Sequence, residues 1–143
     1  MLCGGVSRDT HGWMSERNLE IVRAIYSAWG RGDFSSADWA DPEIEFKLPG
    51  PEARVHRGVE SMGRAWADWM GVFDGLSMVG EAFNDAGDKV VVQQLFRGTG
   101  KGSGFPIDEM PGANVLTLRD GKVVRMEGHT TIEAALAAAG LEN

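Results

Sequence analysis

The chain reads as an α+β domain, a curved and mostly antiparallel sheet wrapped around N-terminal helices as a conical barrel, with a short C-terminal helix. Three observations predict this. Apolar residues recur at helical spacing twice in the first half, as Leu19, Val22, Ile25, Tyr26 and Trp29, and again as Val59, Met62, Trp66 and Phe73. The second half holds β-prone runs joined by the turn signals Asp85-Ala86-Gly87-Asp88 and Asp120-Gly121. An alanine-rich helix over residues 132–139, stopped by Gly140, closes the chain. Hairpin-linked strands that follow helices indicate α+β rather than a parallel βαβ sheet.

Each element has a local reason. Ser15 suits the N-cap of the first helix, Glu16 favours its first turn, and Gly30 and Gly32 end it. Residues 34–39 suit a short second helix capped by Asp33 and broken by Asp41-Pro42. Residues 43–48 alternate like a strand, Pro49-Gly50-Pro51 turns the chain, and residues 54–57 are extended. A third helix follows Gly58. Residues 76–83 and 89–97 are strands, and the glycines at 98, 100, 102 and 104 form a hairpin connection. That run lacks the Gly-Lys-Ser/Thr ending of a phosphate loop. Residues 105–118 are extended with a break expected at Pro111-Gly112, and residues 122–130 form the last strand. In that strand Val124, Met126, Gly128 and Thr130 share one face by parity, while Arg125, Glu127 and His129 share the other. Thr130-x-x-Glu133 fits a capping box for the closing helix.

Composition bounds the function. The 143 residues form one domain, 43% hydrophobic and 24% charged, with 14 basic and 21 acidic residues and a formal charge of −7. An acidic chain without a basic cluster is a poor match for nucleic acid or an anionic membrane, and no apolar run approaches the ~20 residues of a membrane span. Cys3 cannot form an internal disulfide, and His11, His56 and His129 are isolated, so no metal or cofactor is expected. A cytoplasmic location is the default reading. Residues 1–13 lack periodicity and read as a flexible extension, with Met14 resembling a natural start and residues 14–143 forming the domain.

Several blocks in order carry a family likeness. They are A-W-G-R-G-D at residues 28–33, A-D-P-E-I-E-F at 40–46 and H-R-G-V-E-S-M at 56–62. D-A-G-D-K-V-V-V at 85–92, L-T-L-R-D-G-K-V-V-R at 116–125 and E-A-A-L-A-A-A-G-L at 133–141 complete the set. The chain thus resembles the SnoaL-like proteins of the nuclear transport factor 2-like superfamily, relatives of ketosteroid isomerases, polyketide cyclases and limonene epoxide hydrolases. The resemblance implies a cone with an apolar pocket and a homodimer packed through the outer sheet face. It implies no one reaction, because this fold hosts many.

The chemical positions of the isomerases match only in part. Their base falls at residues 46–48, which are Phe46, Lys47 and Leu48, none a carboxylate. Their donor tyrosine falls beside Tyr26, one residue out of register, and their second donor falls at Asn114, whose amide can still donate a hydrogen bond. The acid that cyclases and epoxide hydrolases keep on the last strand falls at Gly128, which cannot transfer a proton. An imidazole is a common acid–base group near neutral pH, but His129 sits by parity on the outer face, unless a bulge at Gly128 turns it inward. Asn114, His129 and Tyr26 are thus the candidate catalytic residues, and Trp39, Trp66, Trp69, Leu116, Met126 and Gly128 the candidate ligand contacts. His56, Glu45, Asp108 and Glu109 are weaker candidates. Two functions remain open. One is a pocket for a small apolar organic molecule, with isomerase- or cyclase-type proton transfer on a carbonyl compound. The other is a non-catalytic dimeric binding or interaction module.

Overall fold

The computed structural model describes residues 2–48, 54–71, 73–100 and 106–140, with the side chains of residues 2–15, Trp69 and residues 106–109 left out of the description. The turn expected at Pro49-Gly50-Pro51 and most of the glycine run after Gly100 lie outside the described residues, as do the side chains of Asp108 and Glu109.

Three helices pack with a six-stranded sheet. In chain order they are α1 (Leu2–Gly30), β1 (Ala40–Lys47), β2 (Val55–Arg57), α2 (Val59–Met70), β3 (Phe73–Ala86), β4 (Lys89–Gly100), β5 (Pro106–Arg119), β6 (Lys122–His129) and α3 (Ile132–Ala138). The strand order is β2-β1-β6-β5-β4-β3. Only the β1–β6 pair is parallel; the other four pairs are antiparallel. β2 and β3 stand at opposite edges, so the sheet curves around the helices without closing.

Several elements differ from the sequence reading, each for a local reason. Helical backbone covers residues 2–13 as well, so α1 begins well before Ser15, the expected cap. The first proline of the chain is Pro42, so none interrupts this run. Residues 34–39 form no helix. There Asp33 Oδ1 accepts from the Ser35 amide (3.1 Å) and hydroxyl (2.6 Å), and Ser36 Oγ accepts from the Asp38 amide (3.3 Å). Such local side-chain bonds compete with the helical ladder. They also hold the Asp33 carboxyl below the usual carboxylate range, the Ser35 hydroxyl contributing most. Asp41-Pro42 does not precede β1 but lies within it, where the pairing with β6 shifts between Ala40 and Glu45. α2 stops at Met70, and Phe73 opens β3 instead of ending the helix. β5 runs unbroken through Pro111 and Gly112, which pair with Leu95 and Gln94. Thr131, not Thr130, caps α3, its side chain accepting from the Ala134 amide at 3.1 Å.

The core lies between the helices and the inner face of the sheet. Val22, Ile25, Tyr26 and Trp29 of α1 and Met62 and Trp66 of α2 meet Ile44, Met78, Val90, Val92, Leu116 and Met126. Burying each aliphatic or Met side chain of this kind is worth about 1.5–3 kcal/mol. Strand alternation sends Val91, Ala113 and Val115 to the outer face, where they pack beneath Ala135 of α3.

The β5–β6 hairpin fixes what the site sees of β6. Its turn has Asp120 at φ 52° and Gly121 at φ 79°, both in the left-handed region that a two-residue hairpin loop of this type needs. Thr117 pairs with Arg125 and Leu118 with Val123, which leaves Val124 as an extra, bulged residue. Val123 and Met126 are therefore both fully buried, three residues apart. Val124, expected on the face of Met126, instead borders the outer groove with Glu45, Thr117 and Arg125. Beyond the bulge the alternation resumes, and Asn114 pairs with Gly128 and Ala113 with His129 without a second irregularity.

Candidate ligand pocket

Between α2 and the inner faces of β1, β4, β5 and β6 lies a cavity of about 160 Å³. Its apolar walls include Phe46, Leu48, Trp66, Met78, Phe96 and Met110, and Gln94, Asn114 and Gly128 line it as well. The base position read from the sequence, residues 46–48, does border this cavity. Among the described residues that line it there is no carboxylate.

Lys47, His129 and Thr130 border the cavity too, and Gln94 and Asn114 in its wall form a buried trio with Tyr26, which is not among its lining residues. The Tyr26 hydroxyl donates to Gln94 Oε1 at 2.5 Å. Asn114 Nδ2 donates to the Tyr26 oxygen at 2.8 Å and to Gln94 Oε1 at 3.1 Å. Exposure is 3% for Tyr26, 2% for Gln94 and 6% for Asn114, so water contributes little and each bond matters more than it would at the surface. Burial pushes the Tyr26 hydroxyl well above the usual tyrosine range, and the Asn114 hydrogen bond offsets this only in part. Tyr26 is thus held neutral as a donor. Gln94 Nε2 and Asn114 Oδ1 take no part in bonds within the trio, and both residues line the cavity.

Two of the three expected catalytic residues, Tyr26 and Asn114, therefore meet directly, across 88 positions of sequence. Tyr26 reaches the trio from α1 although it is one residue out of the expected register. His129 does not join them. It contributes to the pocket wall, but its Nε2 lies 3.5 Å from Glu127 Oε2, with the outer-face side chains and away from the trio. That Nε2 is buried and has no hydrogen-bond partner among the described residues. Glu45 is also an outer-face residue, bridged to Arg125 at 2.8 Å and to Arg57 at 3.2 Å, and is not a displaced base. His56 packs on the Phe46 ring at 6.3 Å.

The expected ligand contacts divide. Trp66 and Gly128 line the cavity. Leu116 and Met126, which pair across β5 and β6, are fully buried in the core and are not among its lining residues. Trp39 borders a different cavity, and the side chain of Trp69 lies outside the described residues. Gln94 was missed by the sequence reading, although parity carried the signal: Val90, Val92, Gln94 and Phe96 alternate on one face of β4, and a lone amide in that row has to be hydrogen-bonded. Among the described residues no group of three or more His, Cys, Asp or Glu is placed to hold a metal ion, and no helix is long and apolar enough to cross a membrane.

The SnoaL-like domain family matches residues 22–126, from the middle of α1 to the pocket strand β6. The chain belongs to this family, within the nuclear transport factor 2-like superfamily. No curated protein matches it. Among solved structures it is similar to an NTF2-like protein from Burkholderia thailandensis E264, with 28% identity, a TM-score of 0.69, and 86% of this chain and 96% of the other covered. A protein from Jannaschia sp. CCS1 described as a SnoaL-like polyketide cyclase shares 24% identity at a TM-score of 0.71, covering 90% of this chain and 94% of its own. A protein of ketosteroid isomerase-like fold from Catenulispora acidiphila DSM 44928, in complex with trimethylamine, shares 20% identity at a TM-score of 0.65, covering 85% and 93%. The likeness to the last two is one of fold.

Proposed function

We propose that the protein binds a small, mostly apolar ring compound carrying a carbonyl group, to which Gln94 Nε2, the amide donor not used within the trio, hydrogen-bonds. The observation that carries this reading is the pair of amides, Gln94 and Asn114, tied to the buried Tyr26 hydroxyl and set into the wall of a mostly apolar cavity. Volume limits the ligand. A cavity of 160 Å³ is close to the ~150 Å³ that accommodates benzene in an engineered protein and well below the ~300 Å³ of the smallest drug-sized pockets. A single ring with one small substituent fits; a fused four-ring skeleton does not.

Hydrogen bonds to a carbonyl oxygen draw electron density from the carbonyl and acidify the adjacent C–H, the first requirement of isomerase- or cyclase-type proton transfer. The second requirement is a base in reach. Tyr26 is held protonated, His129 Nε2 lies toward Glu127 and away from the trio, and the described lining residues supply no carboxylate. Binding with carbonyl polarisation is therefore the function that this geometry supports best.

Titration calorimetry with cyclohexanone and cyclohexane tests it. The two differ in the carbonyl alone, and one net hydrogen bond of about 0.5–1.5 kcal/mol should favour the ketone by roughly 2- to 12-fold. Equal affinity, or no saturable uptake of the ketone, would sink the reading.

A further inference from the structure

A second apolar cavity of about 210 Å³ lies on the other side of α2's inner face, lined by Trp29, Phe34, Trp39, Met62, Gly63 and Trp66 among others. Trp66 is the one described residue common to both walls. On the side of the first cavity its indole stacks on Phe46, with ring centres 5.6 Å apart and planes at 21°. On the side of the second it meets Trp29 at 5.5 Å and Phe34 at 6.0 Å. The indole is thus a wall between two chambers, held by aromatic contacts on both sides.

We propose that Trp66 is a specificity-determining partition, which limits the pocket ligand to a single ring by closing off the second chamber. The inference rests on the reading of the first cavity as the binding site and adds the residue that sets ligand size. The two volumes, 160 and 210 Å³, together make about 370 Å³, which enters the ~300–1,000 Å³ range of pockets for larger organic molecules. The space released by truncating the indole would add to this. In such a joined chamber a second ring would rest against Trp29 and Phe34. The sequence around the partition keeps the second chamber empty. A helical side chain leans over the turn that precedes it, and three residues before Trp66 stands Gly63, where an added Cβ would meet nothing within 4 Å.

Benzene and naphthalene test the partition, because they differ in ring number and are blind to the carbonyl. Failure of the ketone reading therefore leaves this test standing. By calorimetry or ligand-observed NMR, the wild-type protein should bind benzene at least about tenfold more tightly than naphthalene. Trp66→Ala should bring naphthalene to parity with benzene or beyond. Adding Gly63→Leu, which puts bulk at the lining of the second chamber, should restore the preference for benzene. Because truncating a buried Trp can unfold a small domain, Trp66→Leu serves as a milder variant with a smaller shift in the same direction. The proposal is overturned if the wild-type protein takes naphthalene as readily as benzene. It is equally overturned if a variant with an intact cooperative melt gains no naphthalene affinity.

Discussion

Tyr26 is the only tyrosine in the chain, so its ionisation can be read alone from phenolate absorbance near 295 nm. An exposed tyrosine ionises near pH 10. Burial raises Tyr26 above that value, so the folded protein should show no phenolate signal on passing pH 10 while its melt remains cooperative. The linkage has a definite sign. The native state holds the proton more tightly than the unfolded chain, so this contribution to stability is complete below about pH 10 and is lost as pH rises toward the folded-state value. An ordinary titration near pH 10 in folded protein would mean that the hydroxyl is wetted and the trio open. Single residues of the site were legible to different degrees. Asn114 could be found because it falls where the resemblance to the isomerases implies a donor, and Tyr26 because it lies one residue from another such position. Gln94 required counting faces along β4, and its significance appears only when α1 brings the Tyr26 hydroxyl against it.

At the scale of elements, hairpins and helices were legible where the local code is strong. Asp120-Gly121 forms its turn, and Gly140 ends α3 at a positive φ of 79°. The code was weaker where neighbouring residues compete for the same role. Thr130 and Thr131 both precede α3, and the capping-box spacing favours Thr130, but only the side chain of Thr131 accepts the Ala134 amide. Thr131→Ala should therefore cost about 1 kcal/mol in chemical denaturation, and Thr130→Ala should stay within about 0.5 kcal/mol of wild type. The opposite ranking would move the cap. The failed helix at residues 34–39 follows the same physics, since Asp33, Ser35 and Ser36 satisfy the backbone locally before a helix can. The Val124 bulge left no clear trace in the pattern, because Val123 and Val124 are equally suited to either face, and the extra residue is defined only by pairing with β5.

For the whole molecule, most of the order of elements and the curved sheet were readable from the chain, and the family resemblance implied a pocket, but the size of the cavity was not readable. Its volume depends on how far α2 stands from the sheet and on which way Trp66 turns, and neither is encoded in periodicity. The absence of a matching carboxylate at residues 46–48 and at Gly128 was visible at once, and it is one ground for proposing binding over proton transfer. The direct test of that central claim is the carbonyl carbon of ¹³C-labelled cyclohexanone, observed by NMR while bound. Hydrogen bonding in the pocket should move its resonance downfield of the position in an alkane solvent, and Gln94→Leu should return it toward that position in protein that still melts cooperatively. A bound carbonyl that resonates as in alkane, or that does not respond to this substitution, would contradict a polarising role for Gln94.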